Sequence, residues 1–180
     1  MNIQDRVKVE LRETLRSSDM ELSFSEEIMK HSGGEKLAQC YQCGVCAGSC
    51  PVGKLTDSYK PRHIIRMALF GMKDKVLSGN SIWLCASCYT CQERCPQEVE
   101  IADLMLALRN MAVEHGYILR GYVNQASNLL ETGRIAKISS FAEKKRPQLD
   151  LPELPEASIE AMKKIAEKTG FDKLVNKLKG

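Results

Sequence analysis

The chain has 180 residues, of which 43% are hydrophobic and 27% charged, and its formal net charge is +3. This composition is ordinary for a globular protein, and so small a net charge gives no reason to expect nucleic-acid or membrane-surface binding. No apolar run approaches the roughly 20 residues of a membrane-spanning helix, and the N-terminus lacks the apolar segment of a signal peptide. The sequence therefore predicts a cytoplasmic protein with neither nucleic acid nor membrane as a partner.

The N-terminal residues 1–34 are predicted to form a largely polar, partly helical arm. Ser23 and Glu26 have the spacing of a capping box for a short helix from Glu26 to His31, and two glycines follow it. A cysteine-rich run begins directly after this arm.

Two short helices are predicted between the cysteine runs. Pro61 is typical of the first turn of a helix, and Gly71 ends it. A second helix is predicted from Lys73 to Leu77. The apolar stripe of the first helix consists of Ile64, Ile65, Ala68 and Leu69.

Beyond the second cysteine run, apolar residues recur at helical spacing from Ile101 to Met111, which predicts one long helix that ends at Gly116. A further helix is predicted from Tyr122 to Leu130. From Lys144 the sequence becomes rich in proline, glutamate and leucine, which is typical of an extended linker.

Two amphipathic helices are predicted at the C-terminus, with stripes that begin at Ile159 and Phe171. They are interpreted as docking helices for another chain, and the alternative is that they fold back on their own chain. Strand signals are scarce, so the expected fold class is mostly α. The expected division is residues 1–34 as the arm, 35–133 as the cysteine-bearing domain, and 134–180 as the linker and docking helices.

All eight cysteines fall within residues 40–50 and 85–95. A disulfide framework would distribute its cysteines more widely, whereas metal ligation needs several thiolates close together. Both runs have the spacing C-x2-C-x2-C-x3-C-P of two-cluster ferredoxins, in which the fourth cysteine of each run binds the other cluster. The sequence thus predicts two 4Fe-4S clusters. The first takes Cys40, Cys43, Cys46 and Cys95, and the second takes Cys85, Cys88, Cys91 and Cys50.

The cluster surroundings are also predicted from residue types. Gly44 and Gly48 are expected to bring backbone N–H groups close to sulfur. Basic residues are expected to offset the clusters' negative charge, unless they are simply solvated. These residues are Lys54, Arg62, Arg66 and Arg94. The expected apolar sheath is Val45, Ile64, Ile65, Ile82, Trp83, Leu84, Val99 and Ile101.

Other metals and roles fit the pattern less well. Structural zinc favours two CxxC pairs with a longer separation, often with histidine, and the three histidines lie outside both runs. A purely structural cluster usually occurs singly. No dinucleotide-binding glycine motif or P-loop is present, so no catalytic residue is predicted on this chain.

The two motifs and their flanking sequences resemble the C subunit of the heterodisulfide reductases of methanogenic archaea. The resemblance covers about residues 25–120, including KPRHIIRM at residues 60–67 and SIWLC at residues 81–85. The motif pair alone is shared with the iron–sulfur subunits of succinate and glycerol-3-phosphate dehydrogenases.

This resemblance implies an α-helical ferredoxin-type domain and a non-catalytic electron-transfer subunit of an oxidoreductase complex. Such a subunit would relay electrons from the flavin-bearing A subunit to the catalytic B subunit, which reduces the CoM-S-S-CoB heterodisulfide in methanogenesis. Cytoplasmic versions also join a hydrogenase or formate dehydrogenase. The alternatives are the equivalent relay of a related reductase-like or quinone-linked dehydrogenase complex, and a structural metal-binding module.

Overall fold

The computed structural model describes residues 17–155 and 157–179, and no strand occurs among them. The mostly α fold class is therefore confirmed. The α-helices are α1 (Phe24–Met29), α2 (Val45–Ser49), α3 (Pro51–Leu55), α4 (Pro61–Leu69), α5 (Lys73–Leu77), α6 (Thr90–Glu93), α7 (Ile101–Glu114), α8 (Arg120–Thr132), α9 (Ser140–Lys145), α10 (Ile159–Thr169) and α11 (Phe171–Lys179). Short 3-10 turns cover Ser17–Asp19, Leu37–Gln39, Ser81–Leu84 and Pro147–Leu149.

Helix α7 provides the central apolar face of the first compact unit, which ends at Tyr117. Its buried side chains recur at the spacing read from the sequence, and α5 and α6 pack against it. Gly116, with φ +85°, follows the helix in the left-handed conformation that favours glycine. The predictions of this helix, of α4 and of α5 are confirmed.

The described part of the predicted polar arm belongs to this core. Phe24 and Ile28 are completely buried, and the Glu21 N–H donates to the Gly71 carbonyl at 2.7 Å. The capping box does not form, because α1 begins at Phe24 and the Ser23 side chain makes no capping hydrogen bond. The structure therefore shows no domain boundary at residue 34. The burial of Phe24 and Ile28 attaches this segment to the cysteine-bearing domain.

The second compact unit begins at Ile118, earlier than the expected boundary after residue 133. The difference arises because α8 packs against α10 and α11 rather than extending the first unit. The apolar stripes of α10 and α11 are used in this packing, with Ala166 and Val175 buried. A docking role for these helices stays a prediction.

The predicted linker is shorter than expected, because Ser140–Lys145 is helical. The Ser139 hydroxyl accepts a hydrogen bond from the Ala142 N–H and so caps α9. Irregular backbone begins only after the turn at Pro147–Leu149. In the described part of the chain, no helix has the length and apolar character needed to cross a membrane.

Candidate metal centre

The two cysteine motifs fold into similar loops. In each motif the residue before the second cysteine and the residue after it have left-handed backbone. These residues are Gln42 (φ 65°) and Gly44 (φ 87°) in the first motif, and Ser87 (φ 50°) and Tyr89 (φ 61°) in the second. The short helices α2 and α6 follow at equivalent positions. The cysteine spacing that the two motifs share is thus accompanied by the same backbone conformation in both.

This backbone conformation suits an anionic ligand. When residues alternate between right-handed and left-handed backbone conformations, successive N–H groups point towards a common concavity. Left-handed backbone costs on the order of 1–3 kcal/mol at a residue other than glycine, so it persists only where the surroundings impose it. Gln42, Ser87 and Tyr89 bear that cost beside the cysteines.

The first predicted set of thiols comes together around Cys46. Helices α2 and α6 pack against each other, so the end of the second motif approaches the first. Burial, together with the charges of Cys40, Cys43 and Cys95, raises the pKa of the Cys46 thiol to about 11. Cys95, from the other motif, is therefore an electrostatic neighbour of Cys46.

Three members of the second set, Cys50, Cys85 and Cys91, lie near Tyr59, a side chain only 1% exposed. Burial raises the pKa of Tyr59 far above its ordinary range. A hydrogen bond to Cys85 and the charges of Cys85, Cys50 and Cys91 act in the same direction. Burial raises the pKa of Cys91 to about 11, and the charges of Cys85 and Cys46 contribute. The two sets thus lie next to each other.

Amide groups donate hydrogen bonds to four of the sulfurs. Such donors stabilise thiolates and the negative charge of an iron–sulfur cluster. The four bonds are Gly53 N to Cys50 Sγ (3.3 Å), Val99 N to Cys95 Sγ (3.4 Å), Ser87 N to Cys85 Sγ (3.5 Å) and Gln42 Nε2 to Cys40 Sγ (3.4 Å).

The expected role of Gly48 is wrong, since its N–H donates to the Gly44 carbonyl at 3.0 Å within the first turn of α2. The glycine whose N–H donates to a sulfur is Gly53, which was not predicted from the sequence. A Cβ at Gly53 would lie 3.2 Å from the Tyr59 carbonyl oxygen, so glycine permits this close approach. Its place two residues after a Cys-Pro pair is the signal that could have revealed it.

The four predicted basic residues lie on the surface, where water screens their charge. Two other cations reach the backbone of the site. Arg109 donates to the carbonyls of Ile82 (2.9 Å) and Cys85 (2.5 Å), and Lys60 Nζ donates to the Gly53 carbonyl. Arg109 is the lone cation in an otherwise apolar stretch, a signal that the sequence contained. Lys60 directly precedes α4 and gave no comparable signal.

Most of the predicted apolar sheath is buried. The buried members are Ile64, Ile65, Ile82, Val99 and Ile101, and Trp83 is partly buried. Val45 and Leu84 are instead 42% and 41% exposed. Each motif also presents one cysteine at the surface, Cys43 in the first and Cys88 in the second.

The donor set fits two 4Fe-4S clusters. All eight cysteines are free thiols, and soft thiolates are the ligands that these clusters take. In the described residues, no three His, Cys, Asp or Glu side chains converge closely enough to hold a single metal ion. A cubane is wider than one ion and takes each cysteine at a different iron, so it does not require that convergence.

Comparison with known proteins agrees with this chemistry. A family model described as a 4Fe-4S dicluster domain matches residues 36–99. The cofactors of the chain are two 4Fe-4S clusters.

Several relatives are similar over most of their length, and each is the C subunit of a heterodisulfide reductase. The chain is 38% identical over 167 positions to that of the H(2):CoB-CoM heterodisulfide,ferredoxin reductase of Methanothermobacter thermautotrophicus, covering 89% of each chain. It is 35% identical over 181 positions to the iron-sulfur C subunit of the CoB--CoM heterodisulfide reductase of Methanopyrus kandleri, covering 93% of this chain and 94% of the relative. It is 38% identical over 162 positions to the C subunit of the Ferredoxin/F(420)H(2)-dependent CoB-CoM heterodisulfide reductase of Methanosarcina acetivorans. The match covers 86% of this chain and 99% of the relative. From its dicluster loops and this similarity, the chain belongs to the family of heterodisulfide reductase C subunits.

Proposed function

We propose that this chain is the electron-transfer subunit of a cytoplasmic heterodisulfide reductase complex. It relays electrons from the flavin-bearing A subunit to the catalytic B subunit, which reduces CoM-S-S-CoB. The supporting observation is the adjacency of the two thiol sets, in which the charge of Cys46 acts on Cys91 across the two motifs. Adjacent clusters allow stepwise transfer, and every cysteine lies in a motif, so the substrate chemistry belongs to another subunit.

The clusters supply one-electron chemistry when bound. In each set of four cysteines, the fold buries some of the thiols away from water and leaves others accessible to it. Cys46, Cys50 and Cys91 are 6–8% exposed, whereas Cys43 and Cys88 lie at the surface. Two separate accessible edges suit a relay that receives electrons from one partner and delivers them to another.

The proposal includes the crossed ligand sets. Cys40, Cys43, Cys46 and Cys95 hold one cluster, and Cys85, Cys88, Cys91 and Cys50 hold the other. Two charge interactions support it: the charge of Cys95 raises the pKa of Cys46, and the charges of Cys50 and Cys85 both raise the pKa of Tyr59.

Replacing Cys50 with alanine tests this assignment. The Cys50→Ala variant should lose or alter the cluster held by Cys85, Cys88 and Cys91, while the other cluster keeps its spectrum. Electron paramagnetic resonance of the dithionite-reduced protein measures both clusters. Cys95→Ala is the matched variant and should have the opposite effect. If each replacement damaged the cluster of its own motif instead, ligation would be local and the crossed sets would be wrong.

Anaerobic co-purification of the tagged full-length chain from its native cells tests the function. We expect the A and B subunits to co-purify, together with a hydrogenase or formate dehydrogenase. The chain itself should contain about eight iron atoms and about eight labile sulfides, reducible by dithionite. Zinc, or clusters that dithionite does not reduce, would contradict a relay, and co-purification with a quinone-linked dehydrogenase would identify a different complex.

A further inference from the structure

Each cysteine motif presents an exposed thiol together with exposed apolar side chains of the same segment. The apolar members are between 41% and 60% exposed. Aromatic and apolar side chains at a functional surface are typical of a face that a partner protein covers. The first edge consists of Tyr41, Cys43 and Val45, and the second edge consists of Leu84, Cys88 and Tyr89.

The two edges meet opposite charges at equivalent positions of the motifs. The residue after the second cysteine is Gly44 in the first motif and Tyr89 in the second. The Arg62 guanidinium lies 3.5 Å from the Cβ position of Gly44. The Tyr89 hydroxyl instead donates to Asp103 Oδ1 at 3.1 Å. A cation therefore lies beside the first edge and a carboxylate beside the second.

The segments around the two edges have the same difference in charge. Residues 40–69, which include the first motif and α4, contain four basic residues and one acidic residue. Residues 85–103, which include the second motif and the start of α7, contain one basic residue and four acidic residues. One ion pair in each segment, Lys60 with Asp57 and Glu100 with Lys36, reduces this difference without reversing it.

Helix α4 adds a second arginine to the basic side. Arg62 and Arg66 lie one turn apart on α4, which packs against α2 of the first motif. Both side chains are exposed, and neither forms an ion pair within the described residues. A guanidinium binds a carboxylate through two parallel hydrogen bonds, and arginine and tyrosine are enriched at protein interfaces. The first edge thus has the side chains that recognise an acidic protein surface.

We propose that the first edge, together with Arg62 and Arg66, is the docking surface for a partner subunit whose facing surface is rich in aspartate and glutamate. The second edge has the opposite charge and repels that surface, so the chain binds its two partners in one orientation. This inference rests on the proposed relay function, and it assigns to the two accessible edges different partners distinguished by charge.

Anaerobic capture of the tagged full-length chain from its native cells, followed by washing with rising salt, tests the proposal. In Arg62→Glu and in Arg66→Glu, one component, either the A or the B subunit, should be released at roughly half the salt concentration that releases it from the wild type. The other component should be released as in the wild type. Electron paramagnetic resonance should show both clusters unchanged, because neither arginine binds a cluster.

Arg62→Lys tests the chemistry of the partner surface. This substitution keeps the charge and supplies an amine, which a carbodiimide joins to a neighbouring carboxylate as an amide. Mass spectrometry should find position 62 linked to an aspartate or glutamate of the same component that the Arg62→Glu variant releases. A link only to the other component, or to a second copy of this chain, would overturn the proposal.

Arg120→Glu makes the same change of net charge at an exposed position of the second unit, and Glu93→Lys reverses an exposed charge in the second motif. Neither should release the component that depends on Arg62. The proposal is overturned if the two arginine variants keep both components to the wild-type salt concentration, if they release both together, or if Arg120→Glu has the same effect. A wild-type chain that captures neither subunit is a separate result, which overturns the relay function and this inference with it.

Discussion

Left-handed backbone at equivalent positions of the two motifs is occupied by different residues. Gly44 adopts φ 87° in the first motif, and Tyr89 adopts φ 61° in the second. Glycine reaches this conformation without a steric penalty, whereas tyrosine does not. The Tyr89 hydroxyl donates to Asp103 Oδ1 at 3.1 Å, which secures the strained residue to α7. At this position the first motif avoids the strain by using glycine, and the second compensates for it with a tertiary contact.

Gly44→Ala should destabilise the protein by about 1 kcal/mol, the order of the cost of a left-handed alanine. A Cβ at this position meets only ordinary contacts with Arg62, so the backbone is the cause. Anaerobic urea unfolding of the cluster-loaded chain measures the change. Gly48→Ala is the control, since that glycine has open space and does not have positive φ. Equal destabilisation by both substitutions would show that the left-handed conformation is not responsible.

At the scale of elements, α1 is attached to α5 through Lys73. Lys73 Nζ lies 2.7 Å from Glu27 Oε2 and 3.7 Å from Glu21 Oε2, and it lies over the Phe24 ring. The hydrogen bond to Glu27 is the main cause that raises the pKa of Lys73 above 10.5. The composition of the N-terminal segment suggested a separate arm, because its polar residues outnumber the two apolar residues that pack into the core.

Lys73→Met should reduce the free energy of unfolding by about 1 kcal/mol, as is usual for a partly exposed ion pair. Because the folded-state pKa is raised, the stabilisation is fully present below pH 10.5 and is lost as the pH rises through the folded-state pKa. Urea unfolding at a series of pH values should therefore show a constant difference near neutrality that disappears at strongly alkaline pH. A difference that persisted there would assign the effect to packing on Phe24.

At the scale of the whole molecule, the chain consists of two compact units with separate cores. All eight cysteines lie in the first unit, and the second consists of α8, α10 and α11 around residues such as Ala166 and Val175. The clusters therefore contribute ligand-binding free energy to the folding of the first unit only.

Removal of the clusters with a chelator and an oxidant should loosen the first unit selectively. Hydrogen–deuterium exchange is expected to increase around residues 40–50, 59 and 85–95. Peptides from α8, α10 and α11 should keep their protection, because their packing involves no cysteine. Loss of protection throughout the chain would show that the second unit depends on the clusters as well.

The sequence alone determined the mostly α class, the bounds of α4, α5 and α7, and the two 4Fe-4S clusters. It could do so because helical periodicity and cysteine spacing are properties of short segments. Only the tertiary structure placed the first-unit boundary at Tyr117, buried Phe24 and Ile28, and brought Arg109 to the Cys85 carbonyl. Those features depend on which distant segments exclude water from one another, and no local pattern encodes that pairing.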